Sequence, residues 1–125
     1  MMNEFVPYEQ AITCKELGFA KPCVKYWWSD GELSNTWVMP LDYNRKGPVV
    51  SAPTWRQVYE WLLAEWSLYA IVVPTITGDW TFKTTTVVSG EIEVPPYNYV
   101  HSTDWSTREE AELECLKVLL KLAVR

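Results

Sequence analysis

Residues 69–88 read YAIVVPTITGDWTFKTTTVV. The first seven are rich in β-branched side chains, and Thr77-Gly78-Asp79 supplies a turn. From Trp80 to Val88 the extended pattern resumes, with Trp80, Phe82, Thr84, Thr86 and Val88 on one side. Two strands joined by so short a connection pair antiparallel, because a parallel pair needs a crossover of a dozen residues or more. This hairpin sets the fold class.

Toward the C-terminus, Ser89-Gly90 turns into a short strand, Glu91 to Val94, which Pro95-Pro96 stops: proline cannot donate to a ladder and restricts the residue before it. Residues 97–105, YNYVHSTDW, read either as a last edge strand or as an ordered loop. Ser106 followed by Glu109 has the S-x-x-E spacing of a capping box, and REEAELECLKVLLKLAVR continues as a helix. Its stripe is Leu113, Leu116, Leu120 and Ala123, with Cys115, Leu119 and Leu122 beside it. Glu109, Glu110 and Glu112 lie in its first turns and Lys117, Lys121 and Arg125 near its end, in agreement with the helix dipole. Those glutamates read as a solvated face.

Toward the N-terminus, Trp55, Val58, Tyr59, Leu62 and Trp66 recur at helical spacing, with Trp61 and Leu63 widening the stripe. Two residues compete for that helix's N-cap: Ser51, or Thr54 with Gln57 three residues on. Before it, Pro40 to Pro48 is a polar loop. CVKYWW (23–28) reads as a strand, Ser29-Asp30-Gly31-Glu32 as a tight turn, and Asn35 to Met39 as the returning strand. YEQAITCKEL opens the chain as a short helix with Pro7 at its start, and Gly18 ends it against Phe19.

The order αββαβββα, with strands joined by tight turns, predicts an α+β two-layer sandwich of a mainly antiparallel sheet and helices packed on it. At 125 residues one domain, 1–125, is expected. Hydrophobic residues make up 48% and charged residues 22%, close to globular averages, so neither disorder nor a fibre is indicated. A formal net charge of −5 and no basic cluster beyond Arg45-Lys46 argue against binding to nucleic-acid phosphates or anionic lipid, so neither nucleic acid nor membrane is expected as a partner. The opening residues have no signal-peptide pattern, and no apolar run reaches the roughly 18 residues of a membrane span. A cytoplasmic setting is expected, with Cys14, Cys23 and Cys115 as buried thiols.

FVPYEQAITCKELGF, the PC pair before an aromatic strand, SAPTWRQVYEWL before a hairpin, and the closing EEAELECLKVLLKL resemble a family of small uncharacterised proteins. These are encoded by gut bacteria of the Bacteroides type and by their phages and mobile elements. The resemblance covers nearly the whole chain in order, implies a phage or prophage origin, and brings no catalytic residue with it. The order helix, three strands, helix also matches a double-stranded RNA-binding domain. Such domains put basic residues at the start of the last helix, and here those positions hold Arg108, Glu109, Glu110 and Glu112, so the likeness is one of topology.

Chemistry is sparse. His101 is the one histidine, with Asp104 near it, but no nucleophile motif accompanies them. No spacing suits a metal, and no glycine-rich loop suits a nucleotide, so no cofactor and no enzymatic activity are expected. Eight tryptophans are the outlier. Adjacent strand residues point to opposite faces, so Trp27 and Trp28 cannot both enter one core. Trp27, Trp28, Trp37 and Trp80 are the candidate binding residues. The leading reading is a protein-interaction module, self-associating or binding another protein through an aromatic sheet face. The alternatives are a sugar- or nucleobase-binding domain and an acidic inhibitor of a nucleic-acid-binding protein.

Overall fold

Pro7 has no N–H to lose at a helix start, and the first helix, α1 (Tyr8–Glu16), begins directly after it. The end of α1 is fixed by Gly18, whose φ of +94° is the left-handed conformation that glycine adopts without strain. Gly18 N–H donates to Lys15 O (3.1 Å) and Phe19 N–H to Cys14 O (2.9 Å), the paired closure of a glycine-terminated helix. Phe19 is buried behind it, as the spacing predicts.

In this computed structural model the described residues are 4–34, 39–45, 47–88, 91–92, 99–100 and 105–123. They divide into two compact units, 1–60 and 61–125.

In the first unit, β1 (Tyr26–Trp27) pairs antiparallel with β2 (Val50–Ser51), Tyr26 opposite Ser51 and Trp27 opposite Val50. On its other side Trp27 bridges Leu33 across the Asp-Gly turn. There Trp28 N–H donates to Glu32 O (2.8 Å) and Asp30 Oδ1 accepts from Glu32 N–H (3.0 Å). The turn is where the sequence puts it. Of the returning strand expected at 35–39, all but Met39 falls outside the described residues, as does Trp37; among the described residues the strand that pairs with β1 is β2. Two residues between prolines carry no periodic signal, so β2 is invisible to local reading. Its position is set at long range: Asn44 Nδ2 donates to Phe19 O (2.8 Å) while Asn44 Oδ1 accepts Ser51 N–H (2.8 Å). Phe5, Ala11, Trp27, Val50 and Ala52 form the core.

The second helix, α2 (Trp55–Trp66), carries the chain from one unit to the next. Thr54 is its cap: Gln57 N–H donates to Thr54 Oγ1 (3.2 Å) and Thr54 N–H to Gln57 Oε1 (2.9 Å), a reciprocal capping box. Val58, Trp61 and Leu62 are buried, Trp55, Tyr59 and Trp66 partly so, and Leu63 is exposed.

In the second unit, β3 (Leu68–Pro74) and β4 (Trp80–Val88) form the hairpin predicted for residues 69–88, in continuous register from Leu68 opposite Thr86 to Pro74 opposite Trp80. Gly78, at φ +93°, makes the turn. On the other edge of β4 lie β5 (Glu91–Ile92) and β6 (Tyr99–Val100), so part of 97–105 is an edge strand, and Trp105 bridges Trp80. The last helix, α3 (Arg108–Ala123), packs on β3 and β4.

Two expectations for α3 are corrected. Its cap is Thr107, whose Oγ1 accepts Glu110 N–H (3.2 Å) and donates to Glu110 Oε1 (3.0 Å). Ser106 lies one residue too early and bonds only the Glu110 side chain. Glu112 does not belong to a solvated face: it is 7% exposed and pairs with Arg108 at 2.9 Å. The buried face runs through Glu112, Cys115, Leu116, Leu119 and Leu120, while Leu113 is only partly covered and Leu122 is exposed.

Candidate interaction surface

Alternation along β1 decides the fate of the paired tryptophans. Trp27 points inward at 8% exposure, its indole N–H donating to Val6 O (3.2 Å) and its ring 5.9 Å from that of Tyr8. Trp28 points outward and is 47% exposed. Its ring meets Tyr26 edge to face, with centroids 4.9 Å apart and planes at 80°. Tyr26 in turn lies 5.0 Å from Tyr43, whose hydroxyl donates to Met39 O. Met39 is 73% exposed and Leu41 38%. A row of three aromatic rings therefore runs from an open tryptophan to an open methionine.

The row is held from beneath. Tyr8 OH donates to Ser29 O (3.2 Å) in the turn that follows Trp28, and a β-carbon on Gly31 would stand 3.5 Å from the Tyr8 ring. Leu41 is tied to Cys23 by two backbone bonds, Cys23 N–H to Leu41 O (2.9 Å) and Leu41 N–H to Cys23 O (3.1 Å). A surface fixed in this way would lose little entropy on binding. Asp30 and Glu32, both exposed, flank its Trp28 end.

Trp80 lies elsewhere, in β4 of the second unit. Partly buried, it has the Arg108 guanidinium 5.9 Å from its ring, and its backbone exchanges two hydrogen bonds with Trp105 (2.7 and 2.8 Å). Trp105 stacks on Phe82 at 5.4 Å. The expectation of one aromatic sheet face is thus corrected, because among the described residues Trp27 belongs to the two-stranded sheet, Trp28 follows directly after its strand β1, and Trp80 belongs to the four-stranded sheet. Tyr26, Tyr43, Met39 and Leu41 were not singled out in the sequence. For Tyr26 the signal was present, since it stands two residues from Trp28 and shares its side of the strand.

No family model, curated protein or solved structure matches this chain.

Burial pushes the thiols of Cys14 and Cys23 up to about 12, and a thiol is nucleophilic only as thiolate. Cys115 is buried as well. Among the described residues no three His, Cys, Asp or Glu side chains gather as metal ligands. Among them, too, no helix is long and apolar enough to cross a membrane. His101 and Asp104 fall outside the described residues.

Proposed function

We propose that this chain is a non-enzymatic protein-interaction module whose contact surface is the Trp28–Tyr26–Tyr43 row together with Met39 and Leu41. The observation that carries the reading is the 47% exposure of Trp28 on a rigidly held aromatic row. Leaving so large an apolar ring in water forgoes burial worth about 25 cal/mol per Å², which only a partner recovers. Tryptophan and tyrosine are the residues that dominate measured interface energetics, and methionine adapts to irregular partner surfaces. Cys14 and Cys23, buried as free thiols, support a reducing, cytoplasmic setting for the encounter.

The test is capture from a lysate of the source cell with the wild-type chain and with Trp28→Ala and Trp80→Ala. The expected result is a protein retained by wild type and Trp80→Ala and lost with Trp28→Ala, with affinity for the purified partner reduced about 30-fold or more, as for an interface residue worth 2 kcal/mol. Retention of every captured protein by Trp28→Ala, or capture of none by wild type, defeats the reading.

A further inference from the structure

A different part of the molecule carries its own chemistry. Among the described residues β3 pairs with β4 alone and stands as an edge strand of the second unit's sheet. Which of its backbone groups are free follows from the turn. Thr75 N–H donates to Asp79 O (2.7 Å), and in an antiparallel pair hydrogen-bonding residues alternate, so Val73, Ile71 and Tyr69 face β4. Leu68, Ala70 and Val72 turn their N–H and C=O groups outward, and Pro74, which has no N–H, turns its C=O alone. Trp80, opposite Pro74, agrees, because both of its backbone groups are engaged by Trp105 on the far side of β4.

Natural edge strands are guarded by charged side chains, bulges, brevity or an internal proline. β3 has seven residues, an unbroken register and a proline only at its last position. From Trp66 to Gly78 the chain holds no charged residue, although it carries a net −5. An unguarded row of donors and acceptors is met by an extended strand, and a strand without charge is one that a second copy can approach without repulsion.

We infer that β3 pairs antiparallel with β3 of a second copy, about a two-fold axis beside Ile71, to form one continuous sheet. In this register Ala70 exchanges both hydrogen bonds with the partner's Val72, and Leu68 N–H donates to the partner's Pro74 carbonyl, while Pro74, having no N–H, returns no bond to the Leu68 carbonyl. Tyr69 falls opposite the partner's Val73, an aromatic and β-branched pairing that sheets favour. Ile71 falls opposite its own counterpart at a non-hydrogen-bonded position, with Cα atoms about 4.5 Å apart, within the span of a disulfide.

Light scattering on the eluting protein is expected to give twice the chain mass, unchanged by Trp28→Ala, because the aromatic row is not the contact. Oxidation of Ile71→Cys with copper phenanthroline is expected to give a covalent dimer, whereas Val73→Cys, which lies opposite Tyr69, stays uncrosslinked. In the wild-type chain, exchange of the Ala70 and Val72 amides should slow as concentration rises. Chain mass at every concentration, loss of the dimer with Trp28→Ala, or cross-linking of Val73→Cys in place of Ile71→Cys overturns the inference.

Discussion

At position 27 the indole N–H reaches a buried carbonyl, while the next side chain turns to water, because a strand presents successive residues to opposite faces. The two tryptophans therefore answer to different measurements. Trp27→Ala empties part of the core and is expected to cost about 3–5 kcal/mol, read from a urea midpoint. Trp28→Ala removes an exposed ring and is expected to move that midpoint by less than about 0.5 kcal/mol. Thr84 sits at 0% exposure with its Oγ1 unpaired among the described residues, a polar atom dehydrated without compensation. Thr84→Val keeps the shape and removes that atom, so a gain of about 1–2 kcal/mol is expected in the same assay.

Among the elements, the helix ends show how narrow a sequence signal is. Both Ser106-x-x-Glu109 and Thr107-x-x-Glu110 satisfy the capping pattern, and the structure selects the second. Thr107→Ala should then lower stability by about 1 kcal/mol, and Ser106→Ala by clearly less, both followed by thermal unfolding. The ion pairs divide along the same physical line. Arg56–Glu60 is solvent-exposed on both sides, and its loss should be undetectable. Arg108–Glu112 has one partner 9% exposed on the face that packs on the sheet, so Arg108→Ala is expected to cost about 1–3 kcal/mol. A result in which both substitutions behave alike would remove Glu112 from the core.

For the molecule as a whole, the two raised thiols make stability depend on alkaline pH. Unfolded, Cys14 and Cys23 ionise near 9.0; folded, burial holds them protonated until about 12. The native state therefore binds protons that the unfolded chain has released, and stability falls as pH rises through that window. Each thiol contributes up to about 1.4 kcal/mol per pH unit there, and nothing below it. Urea midpoints from pH 7 to pH 11 should decline above 9, and the decline should flatten when both cysteines are replaced by alanine.

Much of the framework was legible because it is written in local chemistry. Pro7 and Gly18 bracket α1, Asp30-Gly31 and Gly78 make turns, and the β-branched runs on either side of Gly78 become the longest strands. These features depend on a residue and its near neighbours, so the sequence by itself determined an α+β fold, its three helices and its central hairpin. The tertiary structure decided what depends on distant groups. It made a strand of Val50–Ser51 by setting them against β1 and Asn44, turned α3 so that Glu112 faces inward, and put Trp27 and Trp80 in separate sheets. It also joined Tyr43 and Met39 to the side of β1 that carries Trp28, through contacts between residues far apart in the chain. Periodicity tells which side of an element a residue occupies, but only packing tells what lies opposite that side, and so whether an aromatic ring becomes core or contact.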